Sequence, residues 1–149
     1  MRAIHLVTVL FTLVSSTSAF ARNTMILSKY EESGFVPPPM SRALECNIFP
    51  DHTEIAKRVA GVIFKTSRPT IVDTTAIYAL IAEAKKAKLE TNRGPVDGPT
   101  VIYNGYEILP TDGLETITLS ELNGGTGYNK TNPSPEAAML KTLIDEICQ

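Results

Sequence analysis

Asp51-His52 is the one place in this sequence where neighbouring side chains offer a general base. An imidazole titrates near neutrality, so a histidine beside a carboxylate is the ordinary means of taking a proton from a nucleophile or holding a metal. A base needs something to activate, however. The sequence has no GxSxG nucleophile turn, no HExxH helix and no Cys-His spacing of a metal site. Two cysteines, Cys46 and Cys148, are the only thiols. A small secreted hydrolase working through Asp51 and His52 is therefore the alternative reading, and no catalytic residue is assigned.

No cofactor or metal is expected. Gly124-Gly125-Thr126-Gly127 lacks the GxxxxGK[ST] spacing of a phosphate loop and the GxGxxG of a dinucleotide turn, and reads as a turn. Asp97-Gly98 and Asp112-Gly113 lack the alternating acids of a calcium loop. One segment is fit to meet a partner: Arg93, Pro95, Val96, Asp97 and Pro99 lie in a Pro/Gly-rich loop whose restricted backbone would lose little entropy on binding. The partner expected there is a protein.

Those residues must be positioned by a domain, and the N-terminus says where that domain works. Arg2, an apolar run over Ile4–Val14 and the small-x-small Ala19-Phe20-Ala21 make residues 1–21 a signal peptide. The apolar run is too short to span a bilayer of about 30 Å. Cleavage after Ala21 predicts an exported chain of 128 residues, periplasmic or extracellular, with no membrane anchor. Its 13 basic and 16 acidic residues give a net charge of −3, without the clustered basic face that nucleic acid requires. In an oxidising compartment, Cys46 and Cys148 should form one disulfide.

Residues 22–42 read as a flexible leader, because Pro37-Pro38-Pro39 fits neither helix nor sheet interior. Residues 43–149 read as one α+β domain. Alternation around Cys46 predicts a strand, and β-branched content over Val59–Thr66 predicts a second. Asp73 or Thr74 caps a helix to about Leu89, and strands follow over Thr100–Ile108 and Leu114–Leu122. Ser134, Pro135 and Glu136 open a last helix with Leu140, Ile144 and Cys148 on one stripe. The expectation is β-β-α-β-β-α: an antiparallel sheet of about four strands packed against two helices, a small two-layer domain. Its expected role is protein binding, inhibition or envelope function without catalysis.

Overall fold

The computed structural model describes residues 24–111 and 113–149; the expected signal peptide and its cleavage point lie outside the described residues. The four-stranded expectation is corrected. The described residues form one antiparallel sheet of eight strands, with two helices. In chain order these are β1 (Leu27–Glu32), β2 (Arg42–Ile48), β3 (His52–Val59), β4 (Val62–Pro69), α1 (Thr74–Ala84), β5 (Glu90–Arg93), β6 (Thr100–Ile108), β7 (Leu114–Asn123), β8 (Tyr128–Thr131) and α2 (Pro135–Ile147). The spatial order is β4-β3-β2-β1-β6-β7-β8-β5.

Four strands were hidden for different physical reasons. Strand β1, inside the expected leader, occupies the middle of the sheet, paired with β2 on one side and β6 on the other. The prolines after it form only a short 3-10 turn over Pro38–Met40, so they end the strand rather than exclude it. The expected second strand is really a hairpin. Ala60 and Gly61 both take positive φ, 51° and 82°, the hand of a two-residue turn that matches strand twist. Strand β3 therefore runs back to His52, across residues read as a loop. Strands β5 and β8 are four residues each and pair with one another at the far edge, too short to show periodicity.

One face of the sheet is apolar where the helices lie. Thr53, Ile48, Leu27, Gly105 and Ile117 are successive cross-strand partners and form a row under them. Gly105 lets α1 approach closely: a Cβ there would meet Ile81 at 3.0 Å. Ile77, Ile81 and Ala84 of α1 and Ala137, Leu140 and Ile144 of α2 complete the core. Asp73 caps α1 by accepting the Ala76 N–H at 3.0 Å, and Ser134 caps α2 by accepting the Ala137 N–H at 3.2 Å. Helix α1 ends at Ala84, earlier than expected, so Lys85, Lys86 and Lys88 follow it rather than form its last turn. Lys85 instead binds Glu107 of β6 and Glu115 of β7, at 2.7 and 2.6 Å. The expected disulfide is present: Cys46 of β2 bonds Cys148 at the end of α2, with Cα atoms 6.0 Å apart.

Two rows further along the strands, the same face presents Lys57, Leu44, Glu31 and Val101. Lys57 and Glu31 put charges into this row, and none of its four residues is fully buried, which marks the margin of the helix cover. A polar cluster stands at that margin. Lys29 bonds Asp145 of α2 at 2.8 Å, and the Tyr103 hydroxyl donates to the same carboxylate at 2.9 Å. Burial opposes the charge of Lys29, but the Asp145 hydrogen bond and the nearby Tyr103, Asp145 and Glu31 outweigh it and hold the ammonium well above the usual lysine range. Burial and the Asp145 hydrogen bond likewise push the Tyr103 phenol up. Both groups hold their protons more tightly in the folded chain. Their stabilisation is complete below about pH 10 and lost as pH rises beyond the ordinary lysine and tyrosine values. Asp145→Asn should cost about 1 kcal/mol at neutral pH, the carboxylate being half-exposed, and flatten the alkaline fall in urea midpoint. An unchanged alkaline slope in the variant would remove this cluster as the cause.

Candidate functional site: the loop end of the sheet

Antiparallel connectivity places four connections at one end of the sheet: residues 33–41, the Ala60-Gly61 turn, residues 94–99 and residues 124–127. Main-chain hydrogen bonds tie them into one unit. The Ala60 N–H donates to Ser41 O at 3.0 Å, Phe35 N–H to Asp97 O at 3.3 Å, Asp97 N–H to Gly124 O at 2.9 Å, and Gly94 N–H to Gly127 O at 2.8 Å. The expected contact loop sits at the centre of this arrangement. Asp97 carries a positive φ of 64°, a conformation its short polar side chain tolerates.

The loops approach so closely that two positions admit only glycine. A Cβ on Gly34 or on Gly124 would collide with the main chain of Gly98. These are close backbone approaches that no side-chain rotation relieves. The Asn123 carboxamide accepts the N–H groups of Gly125 and Thr126 at 3.1 and 3.2 Å, fixing the turn from beneath.

On this fixed frame the large apolar side chains point outward. Phe35 is 93 % exposed, Val96 70 % and Met40 66 %, and Val59 and Val62 beside the Ala60-Gly61 turn are exposed at the same end. Of the residues expected to form a contact surface, Pro95, Val96, Asp97 and Pro99 lie here and are exposed, and Arg93 is exposed at the end of β5 beside them. Phe35 and Met40 were missed because they fall in the segment read as a leader. Gly34 followed by an aromatic and three prolines was the available signal for a fixed loop.

Asp51 and His52 lie at the opposite end. His52 opens β3 rather than sitting in a loop, and its ring stacks on Phe49 with centroids 4.4 Å apart. Its Nδ1 is 2.7 Å from Asp51 and its Nε2 3.7 Å from Glu54. Both ring nitrogens thus face carboxylates, and among the described residues no hydroxyl or thiol bonds the ring. Two open surface depressions of about 420 and 400 Å³ flank β3, and His52 lines neither. Among the described residues no group of three or more His, Cys, Asp or Glu could hold a metal. No helix of the described residues is long and apolar enough to cross a membrane.

No protein-family model matches the chain, and no match to it was found among curated proteins or solved structures.

Proposed function

We propose that this protein is an exported, non-enzymatic recognition module that grips a partner protein with the loop end of its sheet. One observation carries the reading: Phe35, Val96 and Met40 are left in solvent on loops whose backbones are bonded to one another. Folding alone favours neither feature, because exposed aromatics gain nothing from burial and close glycine packing sacrifices tolerance to substitution. Together they describe an anchor presented in advance, which lowers the ordering cost of association. Aromatic residues at the centre of a contact supply most of its free energy. The Cys46–Cys148 bridge supports export, since such bonds persist in oxidising compartments.

The test is a double substitution, Phe35→Ala with Val96→Ser, compared with Ile71→Ser. Ile71 is equally bare, at 95 % exposure, but lies between β4 and α1 at the other end. Each variant should keep its stability within about 0.5 kcal/mol, as solvent-facing substitutions do. Capture of a protein from the native envelope or medium should be lost with the double variant and kept with Ile71→Ser. Equal capture by all three proteins would show that the loop end is not the contact.

A further inference from the structure

A second surface lies along β4, meeting the loop end only at Val62. This strand forms one edge of the sheet, and all eight of its residues are exposed. Alternation in an antiparallel pair fixes which of its main-chain groups are free. In a two-residue hairpin the flanking pair, Val59 and Val62, exchanges hydrogen bonds, so Phe64, Thr66 and Arg68 also turn inward to β3. The N–H and C=O groups of Ile63, Lys65 and Ser67 point out of the sheet. Pro69 would be next in that series and has no N–H, which limits an incoming strand to the stretch before it.

The side chains on this edge select what could pair with it. Val62 and Phe64 stand on the helix-bearing face, Ile63 on the other, and each is more than half exposed. Among the described residues Lys65 makes no ion pair, and neither does Lys57 across from Phe64, whereas Arg58 is taken up by Glu32 at 2.6 Å. Arg68 donates to the Ile147 carbonyl at the end of α2. Strand β4 contains no acid. On the Lys65 face, Glu54 is opposite Ser67 and contacts His52, and Glu45 lies beyond Ala56. A second copy of this chain would bring two cationic strands together. Centring that pair on Lys65 sets the lysine against itself, and centring it on Phe64 leaves the lysines diagonal neighbours.

We propose that β4 accepts an extended acidic and apolar peptide segment by antiparallel strand addition, with an acid opposite Lys65 and aliphatic residues opposite Phe64 and Ile63. Main-chain bonds to Ile63, Lys65 and Ser67 hold such a segment, and the charge sets its register.

The probe is the peptide Glu-Thr-Val-Glu-Val-Val-Thr carrying a fluorophore, with both Glu replaced by Lys as the control. It would lie with its first residue opposite Arg68 and its fourth opposite Lys65. Anisotropy at low salt should show binding of the acidic peptide by the disulfide-bonded protein, weaker by about tenfold for the lysine control and for Lys65→Glu, and reduced at about 0.5 M salt. Hydrogen exchange should slow at the Ile63, Lys65 and Ser67 amides on binding. Ser67→Pro removes an outward donor without breaking the ladder to β3, so it should abolish binding in a folded protein. Phe35→Ala should bind the peptide normally, which separates this site from the loop end. The proposal is overturned by absence of binding, by equal affinity for the lysine peptide, by indifference to Lys65→Glu, or by protection that appears because β4 pairs with itself in a dimer.

Discussion

Replacing Cys46 and Cys148 together by Ser should cost about 2–5 kcal/mol of unfolding free energy, measured as a fall in urea midpoint against the oxidised protein. The bridge spans a sequence separation of 102, and both sulfurs belong to the core, so its loss acts on both sides of the equilibrium. The unfolded chain regains a long loop, for which the entropy model gives about 4–5 kcal/mol before strain and residual structure reduce it. The folded chain loses the tie between the C-terminus of α2 and β2. The local effect is measurable separately: amides of the last turn of α2, near Leu143 and Ile147, should exchange faster in the variant while those of β6 and β7 follow global unfolding. A midpoint unchanged by the double substitution would mean that helix packing alone holds α2.

Gly124→Ala should be the most damaging change of a surface turn. The added methyl meets the Gly98 main chain, which is itself held by the Asp97 N–H to Gly124 O bond, so one segment has to move and that bond with it. Overpacking of this kind costs about 1–3 kcal/mol. The expected signature goes beyond stability. Amide shifts should spread through residues 33–41 and 94–99, and any partner capture that depends on Phe35, as proposed above, should be lost although Phe35 is untouched. Gly125→Ala supplies the contrast, since a Cβ there approaches only the Asn123 carboxamide, at 3.4 Å, and should change the midpoint little. Equal destabilisation by the two would show that the close approach to Gly98 is not what makes Gly124 necessary.

The helices and the staple were legible because their signals are local or unique. Asp73, Ser134 and Pro135 are cap chemistry readable in three or four residues, and two cysteines admit a single bridge. Strands β6 and β7 could be read for the same reason, being nine and ten residues long. The sheet's extent could not. Strand β1 carries Leu27, Lys29 and Glu31 on the helix side, and only Leu27 is aliphatic, because Lys29 finds Asp145 and Glu31 lies past the helix cover. A central strand with one apolar residue on its covered face has no period-two signature. The hairpin was fused into one strand because the first residue of its turn is Ala60, where Asn, Asp or Gly would have announced it. At the loop end, Val96 and its prolines were singled out from composition. Phe35 escaped because the contact that fixes its backbone, with Asp97, joins residues 62 positions apart in sequence.

The position of β1 also dictates an order of assembly. Its neighbours on one side, β2 to β4, form a meander of sequential strands, and β6 and β7 form a hairpin of their own. Each group closes through short-range contacts, the fast class of folding event. Strand β1 joins them, and its partner on the far side is distant: Ser28 and Tyr106, bonded at 3.0 Å, are 78 positions apart. A strand translated among the first of the eight must therefore keep one edge unsatisfied until β6 exists. Contact order is set by this keystone rather than by the hairpins, and the two halves of the sheet remain separate nascent units until it locks them together.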